Sequence, residues 1–259
     1  MKLILGLVMP KPIVRTPTGI TGFDEILGGG FPQGRVLLVL GEPGSGKTIF
    51  CSQFLINGIN RFGENGLLVS MEESRAQYEE EMDQFSWDFA PLEKEGKFSF
   101  VDASPIRGEA VQGDVKIGRL TIGRQDFSLT NLVELIRKNA EAIGAKRIVV
   151  DPISSLIFQY PEETERRKAL LELVEAISKT RATCILSSEL RRVGLQGRML
   201  QTEEYLVHGV VLMQTIQSGR TMERVIQVEK MRVTSMDRQP HPYRITEKGI
   251  EVYPREMVL

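Results

Sequence analysis

Short, almost unbroken apolar runs recur along the chain: RVLLVL (35–40), GLLVSM (66–71), KFSFVD (97–102), KRIVVD (146–151) and TCILSS (183–188). Runs this short and this apolar predict strands buried on both faces of a parallel sheet. Between them the spacing changes to the helical period. Leu132, Leu135, Ile136 and Ile143 fall on one face, and Asn131 with Glu134 has the spacing of a capping box that would open that helix. A second helix is predicted after Pro161, with Leu170, Leu173, Val174 and Ile177 on its apolar side. Strand and helix in alternation predict an α/β fold built on a doubly wound, mainly parallel sheet.

Beyond about residue 205 the pattern changes. HGVVLMQTI and ERVIQVEKMRV form a predicted hairpin turning at Ser218-Gly219, and PYRITEKGIEVY a second one turning at Glu247-Lys248-Gly249. Both would add antiparallel strands to the same sheet. Lys230 and Arg232 stand two apart, which in a strand puts both cations on one face. The stretch from Ser104 to Asp126 is long, Gly-rich and weakly patterned, the character of a functional or disordered loop. With no internal repeat or interdomain linker, the chain divides into an N-terminal arm, 1–12, and one domain, 13–259. The apolar start MKLILGLVMP is too short to span a bilayer and is followed by no small-residue cleavage site. It predicts an extra strand or a loose arm on a cytoplasmic protein.

Composition narrows the function classes only modestly. The 259 residues are 41% hydrophobic and 26% charged, with a formal net charge of −1. No overall basic field would draw the protein onto nucleic acid or membrane. Cys51 and Cys184 lie far apart in apolar segments, as buried free thiols would, and two histidines without paired cysteines give no zinc spacing.

The candidate chemistry centres on GEPGSGKT: Gly41, Glu42, Pro43, Gly44, Ser45, Gly46, Lys47 and Thr48. This is the phosphate-loop pattern GxxxxGK[ST], placed between a buried-strand pattern and a helical one. Its glycines let backbone N–H groups face a phosphate chain at a helix N-terminus. Lys47 would reach the β and γ phosphates, and the Thr48 hydroxyl would ligate Mg²⁺. Asp151 ends an apolar strand, where ligands bind in open α/β sheets, and would hold the magnesium shell; an ordinary strand-end Asp before Pro152 is the alternative. Glu72 and Glu73 end a second strand, where one carboxylate could deprotonate water. The residues alone do not choose between them, nor against two acids that merely open the next helix.

The stretch 15–48, with Thr18-Gly19, Phe23-Asp24, Gly28 to Gly30 and then the phosphate loop, resembles the opening of the RecA-type ATPases of the KaiC branch. VSMEES, KRIVVDPISSL and the tail KMRVTSMDRQPHPYRITEKGIEV are similar to the same branch in the same order, while 104–126 finds no counterpart. The resemblance implies ATP and Mg²⁺ as ligands and a homo-oligomer, a hexameric ring with nucleotide between subunits. It implies that Glu72 or Glu73 activates water. Lys230 and Arg232 would reach the neighbouring subunit's γ-phosphate, one of them as an arginine finger. Where members of the branch often carry Gly-Thr-Ser-His after the KxR pair, this chain has Val233-Thr234-Ser235-Met236. Where circadian-clock members carry a Ser-Thr phosphoacceptor pair, it has Glu204-Tyr205, so autokinase activity is not expected.

The leading expectation is therefore a ring-forming ATPase with a signalling or regulatory output through a protein partner. Its rivals are a RecA- or RadA-type recombination ATPase, using Arg191, Arg192 and Arg198 on nucleic acid, and a low-turnover ATP-binding scaffold. Ser187-Ser188-Glu189 closes a strand where RecA-type folds carry a polar γ-phosphate switch, or is simply a strand end and cap.

Overall fold

The computed structural model describes residues 12–103, 115–117, 120–122, 129–193 and 197–256. Nearly all of the predicted N-terminal arm lies outside them. A nine-stranded sheet organises the chain. Its strands are β1 (Val36–Gly41), β2 (Gly66–Ser70), β3 (Phe98–Asp102), β4 (Arg147–Asp151), β5 (Thr183–Glu189), β6 (Gly209–Ser218), β7 (Thr221–Met231), β8 (His241–Thr246) and β9 (Gly249–Val252). Their order across the sheet is β9-β8-β7-β6-β1-β5-β4-β2-β3. The six strands from β6 to β3 are parallel neighbours, and β7, β8 and β9 add on antiparallel. This is the expected α/β architecture.

Five helices matter for the site: α1 (Lys47–Phe62), α2 (Arg75–Asp83), α3 (Leu129–Ile143), α4 (Glu163–Lys179) and α5 (Thr202–Leu206). The sheet separates two apolar layers. Leu38, Leu40, Val69, Val150 and Leu186 pack toward α3 and α4, through Leu132, Leu135, Leu170 and Leu173. Leu37, Val39, Leu68, Val149 and Ile185 pack toward α1, through Phe50 and Phe54. Successive strand residues thus face opposite layers and both are buried, which is why the sequence shows unbroken runs rather than alternation. Among the described residues no helix is long and apolar enough to cross a membrane.

The leader is tied into this frame by side chains. The Asp24 carboxylate accepts hydrogen bonds from Thr18 N, Thr18 Oγ1 and Gly19 N, at 2.8–2.9 Å. Arg147, completely buried, donates to Glu64 Oε2 (2.6 Å), Phe54 O (2.7 Å) and Pro17 O (2.7 Å), and its guanidinium lies 4.5 Å from the Phe54 ring centroid. A buried cation is tolerable only when its donors are met in this way. A Cβ at Gly58 would stand 2.3 Å from Arg147 Cδ, so that helix position must be glycine.

Several local expectations need correction. Helix α3 already includes Leu129, so Asn131 lies within it and the Asn131–Glu134 capping box does not form; Glu134 pairs instead with Arg137 (2.7 Å). The first hairpin turns at Gly219-Arg220, because Ser218 and Thr221 are already paired. Most of the stretch 104–126, expected to be a weakly patterned functional or disordered loop, lies outside the described residues, but within it Val115–Ile117 and Leu120–Ile122 pair as antiparallel strands. The largest correction concerns the KMR segment. Strand β7 ends at Met231, and Arg232 belongs to a turn in which Val233 takes a φ of 56°. Val210 faces Lys230 while Val211 faces Val228, so Glu229 is the extra residue of a β-bulge. Lys230 and Arg232 still flank the buried Met231 and lie near each other, but only Lys230 belongs to the strand.

Candidate functional site

The phosphate loop leaves the carboxyl end of β1 and enters α1. Gly44 and Gly46 take φ of 74° and 86°, the left-handed region open chiefly to glycine. Gly46 caps α1 without a side-chain hydrogen bond, leaving the first N–H groups of a 16-residue helix directed at the loop. Lys47 Nζ donates to the carbonyls of Gly41 (3.0 Å) and Glu42 (3.1 Å), which folds the lysine back over its own loop. Burial pushes its ammonium below the usual lysine range, against the pull of Asp151, Glu189 and Glu42. Ser45 Oγ is buried with no hydrogen-bond partner among the described residues, a polar atom suited to a ligand.

Asp151, at the end of β4, is 7% exposed. Ser187 Oγ donates to its Oδ1, Thr48 hydrogen-bonds to the same carboxylate, and Lys47 lies near. Burial nonetheless raises the Asp151 carboxyl above the usual range. A threonine hydroxyl beside a buried carboxylate is the donor set a hard divalent cation takes, with phosphate oxygens and water completing its shell. The residues present therefore fit Mg²⁺ with a nucleoside triphosphate.

Glu72 and Glu73 prove unequal. Helix α2 starts at Arg75 and is capped by Ser74 in a capping box with Gln77, so neither acid occupies its first turn. Glu72 is exposed and accepts a hydrogen bond from Ser155 Oγ at 2.7 Å. Glu73 is half-buried, its backbone held by Ser70 Oγ, which donates to Glu73 O (2.7 Å) and accepts from Glu73 N (3.0 Å). Burial, then the charges of Glu81 and Asp151, push its carboxyl up to about 7. A carboxyl poised there exchanges protons near neutrality.

Distant contacts that sequence reasoning missed hold the loop from the side. Tyr243 OH donates to Ser45 O (2.5 Å), and Thr215 N donates to Glu42 Oε2 (3.2 Å). Ile245 packs so closely under Gly46 that a Cβ there would stand 2.8 Å from its Cδ1. Alternating strand patterns such as HPYRIT hold no signal for such contacts; only the Gly-rich loop hints that something must brace it.

Lys230 and Arg232 are not part of this assembly. Lys230 pairs through Val210 with Leu38, and Arg232 N donates to His208 O, one residue before the Gly209–Leu37 pair. That places Arg232 level with the start of β1, roughly 16 Å of strand from the phosphate loop at its other end. Lys230 Nζ donates to Glu204 O (2.8 Å) and Val207 O (2.9 Å), while Arg232 is exposed. Of the arginines considered for nucleic acid, Arg198 is engaged by Glu204 (2.8 Å) and Glu229 (3.6 Å), and Arg191 lies 5.4 Å from the Phe158 ring centroid.

Comparison with known proteins gives this geometry a family. A family model described as ATPase: KaiC matches residues 16–257. An UPF0273 protein of Pyrococcus horikoshii is 37% identical over 244 residues, covering 94% of this chain and 96% of that one. The circadian clock oscillator protein KaiC of Synechococcus elongatus is 34% identical over 247 residues, covering 94% of this chain but only 45% of that longer protein. Among solved structures, a KaiC-like protein of Pyrococcus horikoshii superposes with a TM-score of 0.77 at 33% identity, covering 94% of this chain and all of that one. The phosphate loop, the acids at the neighbouring strand ends and the nine-stranded sheet thus have one explanation: the chain belongs to the KaiC-like, RecA-type P-loop ATPases.

Proposed function

We propose that this protein is a Mg²⁺-dependent ATP hydrolase that works as a homo-oligomeric ring, with each nucleotide lying between two subunits. The observation that carries the reading is the separation within one chain. Phosphate-binding groups sit at the carboxyl end of the parallel strands, and the two cations fit to stabilise transferred phosphate sit at the amino end. In this reading residues 41–48 cradle the phosphates, Lys47 contacts the β and γ groups, and Thr48 with Asp151 holds the cation. A bound Mg²⁺ supplies charge neutralisation on the phosphates. Glu73 takes the proton from water, since its raised pKa and its closeness to the Asp151 charge suit that task better than the Ser155-tethered, exposed Glu72.

Lys230 and Arg232 complete the neighbour's site in this scheme, Arg232 as the finger that stabilises charge on the departing phosphate. A hexamer is the ring size inferred from the KaiC resemblance, with a cytoplasmic signalling or regulatory output. Glu204, buried beside Arg198 where clock members have an acceptor hydroxyl, supports hydrolysis without self-phosphorylation.

The deciding measurement is ATPase rate per subunit against protein concentration. The rate should collapse as the oligomer dissociates; a constant rate down to the monomer would sink the shared-site reading. Tight ATP binding with negligible turnover in the intact oligomer would favour the scaffold.

A further inference from the structure

Two adjacent serines at the end of β5 look in opposite directions. Ser187 donates to the carboxylate of Asp151, on the α1 side of the sheet. Ser188 Oγ, also buried, donates to Glu203 Oε1 (3.2 Å) on the α4 side. Glu203 is 4% exposed, and its side chain also accepts a hydrogen bond from Gln201 Nε2 (2.9 Å). Both of these donors are neutral side chains.

Glu203 belongs to α5, whose far end holds Lys230. Lys230 Nζ is fixed by the carbonyls of Glu204 and Val207, and the next residue, His208, donates its N–H to Val36 O at the amino end of β1. The two ends of α5 thus touch the two functional ends of the sheet. Gln201 and Glu204 also form a capping box, and Arg198 binds both Glu204 and Glu229, the bulge residue beside Lys230. These contacts tie the five-residue helix to the sheet at both of its ends.

We propose that Ser188 and Glu203 are positioning residues that make the Lys230 offered to the next subunit depend on occupancy of the subunit's own phosphate site. The idea rests on the shared-site reading above. Loading the site engages Asp151, which repositions Ser187 and the end of β5. Ser188 carries that shift to Glu203, and α5 carries it to the carbonyls that hold Lys230. The coupling runs through one short element with defined contacts at both ends.

The test is complementation between subunits in mixed oligomers, with activity measured per isolated hetero-oligomer. The recipient carries Lys230→Ala, so it keeps an intact phosphate site but offers no lysine to its neighbour. One donor carries Lys47→Ala and cannot load its own site. A second carries Glu72→Gln with Glu73→Gln and loads it without turnover. Both donors offer an unaltered Lys230. The loaded donor should restore recipient ATPase about tenfold better than the empty one, within the range usual for coupled sites. Adding Ser188→Ala or Glu203→Gln to the loaded donor should lower its restoration to the empty donor's level, with circular dichroism melts confirming the fold. Equal restoration by both donors would overturn the coupling while leaving the shared site intact. Restoration untouched by Ser188→Ala and Glu203→Gln would overturn this route. No restoration by either donor would overturn the shared site itself, and with it this inference.

Discussion

The two ends of the parallel strands are built by different rules. At the carboxyl end almost everything converges: residues 41–48, Asp151, Ser187 and Glu73 lie at or just beyond the ends of neighbouring parallel strands. At the amino end Lys230 is tethered to main-chain carbonyls and Arg232 is exposed. One end gathers its polar groups around a single loop; the other leaves one cation held by main-chain carbonyls and one exposed. In the proposed ring, binding and transition-state stabilisation would lie on separate surfaces, and the second would depend on assembly.

Breaking the amino end should have the largest effect. Arg232→Ala should lower kcat by about 10³ or more, the usual scale for a lost arginine finger. ATP binding to the isolated subunit, followed with a fluorescent analogue, should change little. Parallel loss of binding and turnover would erase the distinction between the two ends.

The next largest effect belongs to the phosphate end. Glu73→Gln should cost roughly 10²–10⁴ in kcat with binding retained, as expected for a missing general base. Glu72→Gln should cost less than about tenfold. The reverse order would move the base to Glu72.

Proton linkage sharpens the same comparison. With the Glu73 carboxyl at about 7, the base form grows as pH rises, so ATPase rate should climb as pH approaches about 7 and level off above it. Glu73→Gln should flatten that limb. For stability the sign is opposite. A carboxyl raised from 4.5 to about 7 favours the folded state fully below 4.5 and loses that contribution as pH rises through about 7. Melting temperatures of wild type and Glu73→Gln should therefore diverge across that window.

The smallest effect on chemistry, though not on folding, is expected at Arg147. Arg147→Met keeps the apolar stem but strands Glu64 and two carbonyls, and should destabilise by about 3–5 kcal/mol in urea melts. Nucleotide affinity of the folded fraction should stay within about twofold.

What the sequence makes legible follows the same division. The phosphate loop is contiguous, so its chemistry and backbone demands sit in one short run of adjacent letters. Asp151, Glu72 and Glu73 are recoverable because apolar runs announce strand ends. Arg147 hides its role, since a cation opening a strand resembles a solvated end until Glu64, Phe54 and Pro17 are seen around it. Asn131 and Glu134 mislead because one spacing serves both a capping box and an i, i+3 pair within a helix. Ser188–Glu203 and Tyr243–Ser45 are hydrogen bonds between distant segments, and no local periodicity encodes them.

The extra residue at Glu229 has a consequence for direction rather than chemistry. Ile226 and Val228 face the α1 side two residues apart, but the next buried residue on that side, Met231, comes three later. With every residue kept, a plain strand period continued from Val228 would turn Lys230 toward the α1 side and Met231 away from it. Every side chain would be retained and the cation would still point into the wrong layer. The bulge therefore sets the aim of Lys230, and variation in this segment should keep the bulge even where its letters drift.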